Sequence, residues 1–333
     1  VSARASRPPV ETVPPLESMG RVLAEEVVAD RDYPPFPRST RDGFAVRAAD
    51  LAQTPATLKL LGQIRAGEAF AGSVGPGECV EIMTGAPLPD GADAVVMIEY
   101  TEPKGQQVVV KRAVVAGSNV VPRGSEARQG DSLLIVGTRL GYPEISLLGQ
   151  VGRSQVPVFR RPRVAVLSTG DEVVPVEDQP GPHQIRNSNS YSIAAQIRLS
   201  GGEPVLLSQA RDELAELERL MHRGLEEDLL VLSGGVSMGK YDFVEVILRK
   251  LGAKFHFDEV AIRPGRPVVF ATWQDKFVFG LPGNPVSTMV TFELFVAPAL
   301  ALLAGAPAPP LRFLKARLAE RIEQKTQLTL FLP

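Results

Sequence analysis

From Arg163 onward, short apolar runs alternate with stretches whose apolar residues recur every three to four positions. VAVLS, PVLLSQ and DLLVLS read as buried strands, and KFHF, PVVFATW and KFVFG as further ones. Between them, DELAELERLMHRGL places Leu214, Leu217, Met221 and Leu225 on one helical face, and DFVEVILRKLG does the same with Phe243, Val246, Ile247 and Leu251. NSNSYSIAAQIRLSGG reads as a capped helix ending at Gly201 and Gly202. Strands alternating with helices predict an α/β domain with a mainly parallel sheet over residues 161–306.

The first half has another rhythm. Short apolar alternations such as AVVMIEY and QVVVKRAVV are separated by GPGE, PDGAD and KGQQ. These predict small antiparallel β-structure, a β-rich insertion over 44–120. LESMGRVLAEEVV (16–28) and EISLLGQVG (144–152) read as helices of a discontinuous lobe, 1–43 with 121–160, and FRRPR as a linker. Residues 307–333 read as the start of a further β domain.

Composition narrows the function classes. The chain has 333 residues, 44% of them hydrophobic, enough for several domains with buried cores. A net charge of −2 gives no global attraction to nucleic acid or an anionic membrane, so neither is expected as a partner. Cys79 stands alone, which excludes an intrachain disulfide and suits a reducing cytosol; His183, His222 and His256 do not have zinc-ligand spacing with it. VSTMVTFELFVAPALALLAG (286–305) is apolar enough for a membrane span, but Glu293 and Pro298 interrupt it, and it reads as a core helix.

Three polar loops follow apolar strands and precede helices: STGDE (168–172), SGGVSMGKYD (233–242) and LPGNPVS (281–287). In an open α/β sheet ligands bind beyond the carboxyl ends of the strands. Gly170, Gly234, Gly235 and Gly283 allow close backbone approach, while Ser168, Thr169, Ser233, Ser237 and Ser287 add hydroxyls; a phosphate or similar oxyanion is the expected guest. Asp171, Glu172 and Asp242 at the same edge suggest a bridging Mg²⁺, although Asp242 and Asp212 also stand where helix N-caps belong. Arg263 and Arg266 flank a Pro-Gly turn and suit an oxyanion. Asp42 in RSTRDGFAV and Thr84 in EIMTGAPLPDGADAVV read from chemistry alone as turn residues. GVSMG matches a hydrolase nucleophile elbow, but its serine does not directly follow the strand and only His256, in the strand-like KFHFDE, remains downstream; a serine hydrolase is not expected.

Taken in order, PPFPRSTRDGFAV, MTGAPLPDGADAVV, RPRVAVLSTGDEV, IRNSNSYSI, LSGGVSMGKYDFV, VAIRPGRPVVF and LPGNPVSTMVTFELFV resemble the molybdenum insertases, the bacterial MoeA proteins and the matching domain of gephyrin. The resemblance implies a MoaB/MogA-like α/β domain, an elongated homodimer and a closing C-terminal β-barrel, of which only the start is present. It implies transfer of molybdenum from molybdate to adenylyl-molybdopterin with release of AMP, assisted by Mg²⁺, alongside other molybdenum-cofactor biosynthesis proteins. Asp242, Glu172, Asp42 and Thr84 fall on its catalytic positions, with Asp242 and Glu172 as metal ligands. Asp212, Pro282, Gly283 and Asn284 fall in substrate-binding motifs, and Ser237 and Ser287 on positions that hold molybdate. Members often carry lysine where this chain has Glu259, Arg263 and Arg266, so Glu259 reverses a charge. Alternatives are an adenylyltransferase acting on molybdopterin, against which the Asp42 and Thr84 motifs argue, and a gephyrin-type receptor scaffold.

Overall fold

The computed structural model describes residues 8–211, 213–234, 243–307, 313–317, 319 and 327–331. The chain divides into two units, Glu26–Leu134 and Val1–Glu25 with Ile135–Pro333.

In the first unit, β1 (Gly43–Val46), β2 (Ala56–Ile64), β3 (Glu78–Ile82), β4 (Ala94–Met97), β5 (Thr101–Lys104) and β6 (Gln107–Val110) form one sheet in the order β4-β1-β3-β2-β6-β5. β1 is buried along its whole length. Its period-2 alternation sends Phe44 and Val46 into one apolar cluster, with Leu58, Val96 and Val108, and Ala45 into another, with Ile64, Val80 and Ile82. One expectation is corrected: β2 and β3 pair in parallel, not antiparallel. Residues 65–77 carry the chain back across the sheet before β3 begins, so the two strands run the same way.

A second correction concerns residues 16–28. Only Pro15–Ser18 forms a short 3-10 turn; Gly20 then takes φ +72° and the chain turns extended. Gly20 and Leu23 donate their N–H groups to Leu140 and Thr138, and Val27–Val28 pairs with Ser132–Leu134. The apolar spacing imitated a helix, but the backbone bonds go to distant strands. The helix expected near 144–152 does form, as α1 (Tyr142–Gln150).

The second unit holds the α/β layers. The chain runs through β7 (Arg163–Ser168), α2 (Asn189–Leu199), β8 (Glu203–Leu206), α3 (Leu214–Gly224), β9 (Leu229–Ser233) and α4 (Phe243–Lys250). It continues through β10 (Lys254–Phe257), β11 (Val269–Trp273), β12 (Lys276–Leu281), α5 (Pro285–Thr291) and α6 (Ala297–Leu303). Sheet order is β8-β7-β9-β12-β11-β10. β8, β7, β9 and β12 are parallel; β11 runs antiparallel to both its neighbours. Apolar side chains cover both faces: Leu217, Met221, Ile247 and Leu248 pack on one, Ile193, Ile197, Phe292 and Leu300 on the other.

The apolar stretch after Pro285 is a single 19-residue helical run, long and apolar enough by composition to cross a membrane. Here Phe292, Val296 and Leu300 are fully buried against the sheet. A π-helical segment, Phe292–Val296, precedes Pro298, and Ala297 donates its N–H to Phe292 O, five residues back.

Candidate functional site

Strand register sets the site. Ser168 pairs with Ser233, and Ser233 with Leu281, so β7, β9 and β12 all end on one row. From β7 the chain goes to β8 on one side and returns to β9 on the other, which makes the gap between β7 and β9 the topological switch point. A cleft of about 100 Å³ lies there, lined among others by Ser168, Thr169, Glu172, Asn189, Ser233, Gly234 and Gly283. Six of these seven stand among the residues picked out by the loop chemistry; Asn189 is the addition.

The loops are tightly fastened. Thr169 N–H donates to Ser233 O at 3.1 Å, and Gly234 N–H to Leu281 O at 3.3 Å. Gly234 has φ +89°, and a Cβ there would sit 2.7 Å from Thr169 O. Gly170 has φ +128°, and a Cβ there would sit 2.6 Å from a Glu172 carboxylate oxygen. Only glycine fits either place. Glu172 is exposed, whereas Ser168, Thr169 and Ser233 are buried.

Asn189, the first residue of α2, binds two of the loops together: its Nδ2 donates to Ser233 Oγ and to Gly283 O, both at 2.8 Å. Its Oδ1 and the Thr169 Oγ1 are buried and have no hydrogen-bond partner among the described residues. Two unpartnered oxygens on the lining of one cleft are what a site built for a ligand leaves behind. The Asn-Ser-Asn-Ser run was legible as a helix start, and Asn187 Oδ1 does accept the Ser190 N–H there; the cross-loop role of Asn189 depends on tertiary pairing.

At LPGNPVS, Asn284 caps α5, its Oδ1 accepting the N–H groups of Val286 at 3.1 Å and Ser287 at 3.3 Å. Those two donors are therefore committed within the loop. Pro282 O accepts the Thr288 hydroxyl, and Ser287 is buried beside it. Arg263 and Arg266 are exposed and do not line the cleft. The Arg266 guanidinium forks onto Glu259 at 3.0–3.4 Å, so the reversed charge at 259 neutralises its neighbour.

In the other unit, Asp42 and Thr84, 42 residues apart, meet directly. Asp42 Oδ1 accepts the Thr84 N–H at 2.6 Å and the Thr84 hydroxyl at 2.8 Å. These two bonds, the backbone one first, hold the Asp42 carboxyl below its ordinary pKa. Gly43 is required beside it: a Cβ there would lie 1.9 Å from Val96 O. Asp212, Gly235, Ser237 and Asp242 lie outside the described residues. Among the described residues no cluster of three or more His, Cys, Asp or Glu forms.

Residues 1–152 match the family described as MoeA N-terminal region (domain I and II), and residues 165–302 that described as probable molybdopterin binding domain. A molybdopterin molybdenumtransferase of Bacillus subtilis is 41% identical over 291 residues, covering 85% of this chain and 68% of that one. The chain belongs to the molybdopterin molybdenumtransferase family. Other members similar to it include that of Nostoc, 38% identical over 86% of this chain and 67% of its own. One from Staphylococcus aureus is 34% identical over 100% of this chain and 80% of its own. Among solved structures, the molybdopterin biosynthesis MoeA protein of Pyrococcus horikoshii superposes with a TM-score of 0.76 at 30% identity, over 90% of this chain and 75% of its own. The fold is thus MoeA-like and mixed α/β, and the chain takes its place among the molybdopterin molybdenumtransferases as an enzyme of molybdenum cofactor biosynthesis.

Proposed function

We propose that this chain transfers molybdenum from molybdate to adenylyl-molybdopterin, releasing AMP, and that the cleft beyond β7, β9 and β12 binds the substrate. The observation that carries this reading is the convergence of three strand ends on a cleft where Thr169 Oγ1 and Asn189 Oδ1 are buried and unpartnered among the described residues. Anion recognition is assigned to the Ser168–Gly170 and Ser233–Gly235 loops, through the Ser168, Thr169 and Ser233 hydroxyls and the close approach that glycine permits. At the start of α5 Asn284 already takes the Val286 and Ser287 N–H groups, so the part left to that turn is the Ser287 hydroxyl.

The cleft offers the Glu172 carboxylate, Thr169 Oγ1 and Asn189 Oδ1, an oxygen set that suits Mg²⁺, while Arg186 on the same lining turns its guanidinium to Val176 O, Asp178 O and Gln179. Glu172 and Asp242 would hold that ion, which when bound neutralises phosphate charge. Asp42, kept ionised by Thr84, is the second carboxylate centre; in the proposed homodimer it serves the partner's cleft, with Asp212, Ser237 and Ser287 completing substrate and molybdate binding. Arg263 offsets the added negative charge, and Arg266 does so once it leaves Glu259. The division into 1–43 with 121–160, 44–120, 161–306 and 307–333, and the cytoplasmic setting, belong to the same reading.

AMP release from adenylyl-molybdopterin, followed with and without molybdate and Mg²⁺, tests it in the parent, Asp242→Ala and Glu172→Gln proteins. The expected result is molybdate-dependent release that collapses in both variants. Release that ignores molybdate, or variants equal to the parent, would refute the reading.

A further inference from the structure

We infer that Gln209 is a positioning residue that shapes the Ser168–Val173 loop and thereby sets where the Glu172 carboxylate stands. Its side chain enters the loop from the segment that follows β8. Gln209 Nε2 donates to Gly170 O at 3.0 Å and also to Val173 O. Because both partners are carbonyls, the nitrogen must face them, which fixes the orientation of the amide. The same neighbour strengthens the hold through its backbone: Ala210 N–H donates to Ser168 O at 2.9 Å. One amide thus bridges both ends of the turn that carries Glu172.

That turn has little freedom of its own to lose. Val173 N–H reaches back to Gly170 O at 3.2 Å, and Glu172 O accepts the Ile185 N–H at 2.8 Å. The Glu172 carboxylate folds over the bare Cα of Gly170, into space that any side chain there would occupy. Loosening the Gly170 and Val173 carbonyls releases the backbone on both sides of Glu172. The leftover Gln209 Oε1 is buried and has no partner among the described residues. A buried amide oxygen left unsatisfied is unfavourable, so the residue is not optimised for stability. Its two donated bonds are what the site uses.

The inference deepens the proposed reading and rests on it where Glu172 is taken as a ligand of Mg²⁺. The clamp itself does not depend on the metal. Gln209→Met keeps the length of the side chain, removes both donated bonds and also removes the unsatisfied oxygen, which offsets part of their loss. Amide hydrogen exchange across residues 168–174 of the full chain is expected to quicken in this variant. Unchanged exchange there would overturn the clamp whatever the metal does.

The routing through Glu172 is read from Mn²⁺ binding, measured by electron paramagnetic resonance as a probe for the Mg²⁺ site without turnover. Gln209→Met is expected to weaken Mn²⁺ binding about ten-fold, the low end for loss of a group that orients a metal ligand. In a Glu172→Gln background it should cost nothing further, because the carboxylate it positions is gone. Additive losses would overturn the routing. If Glu172→Gln alone leaves Mn²⁺ binding intact, the metal assignment of the proposed function fails, and the exchange measurement still decides the clamp.

Discussion

Replacing Gly234 by alanine probes the closest approach in the cleft. Two penalties add. At φ +89° an L-residue is in the left-handed region, which costs about 1–2 kcal/mol. The new Cβ would also lie 2.7 Å from Thr169 O, a backbone atom of a residue whose N–H is tied to Ser233 O. Relieving such overpacking costs about 1–3 kcal/mol. The smaller conformational entropy of an unfolded alanine returns about 0.4–1 kcal/mol. The net loss should be about 2–4 kcal/mol, confined to the α/β unit.

A single tryptophan makes this measurable. Trp273 closes β11 and donates its Nε1–H to Leu251 O at 3.1 Å, so its fluorescence follows the α/β unit in a denaturant titration. Gly283→Ala is the internal control: it lines the same cleft, but a Cβ there meets only Gly234 Cα at 3.8 Å, ordinary contact. Its loss should stay below about 1 kcal/mol. AMP release should fall sharply in Gly234→Ala, since the loop must move away from Thr169. If both variants lose less than about 1 kcal/mol and keep full activity, the cleft is compliant, and the argument from close approach is wrong.

Other outcomes follow from single contacts. Thr84→Val removes the hydroxyl donor but keeps the N–H, so the Asp42 titration should move up toward its ordinary 3.8 without reaching it. Carbon-13 NMR of the carboxyl checks this, and an unmoved titration would contradict it. In the parent, the Asp42 contribution is fully present above 3.8 and is lost as pH falls through the lowered pKa. Cys79 is fully buried and its thiol is pushed up to about 12, so an aromatic disulfide reagent should react only as the Glu26–Leu134 unit unfolds; rapid labelling of the native protein would count against that. Asn284→Ala removes the cap of α5 and should cost about 1 kcal/mol by Trp273 fluorescence, with no loss at all refuting the cap.

Local signals served the α/β unit well, for a physical reason. Its strands are short, continuous apolar runs and α3 and α4 have narrow apolar faces, so each element declares its period and its boundaries. The first half is different. Val22, Leu23 and Val27 are spaced like a helix stripe, yet their backbone partners lie more than a hundred residues away, in 132–140 and at Val158 and Phe159. The parallel β2–β3 pair was hidden in the same way: strand direction is decided by where the intervening loop crosses, and composition does not record it.

The site shows the same division at the level of single residues. Serine, threonine and glycine at strand ends are legible because the need for hydroxyls and close approach restricts residue type at each position. Asn189 and Gln209 escape that logic. Neither type is demanded by its own segment; each matters because its amide spans two carbonyls or a carbonyl and a hydroxyl that only the fold brings within 3.0 Å. Charge misleads for a related reason. Arg266 counts as a free cation in the sequence, whereas Glu259, seven residues away, holds its fork at 3.0–3.4 Å. An exposed pair of this kind contributes under about 1 kcal/mol, so an incoming oxyanion can displace Glu259. The electrostatics of that turn are therefore set by competition between a tethered carboxylate and the ligand. A substrate-binding reading that counts arginines alone overstates the charge the cleft's surroundings supply.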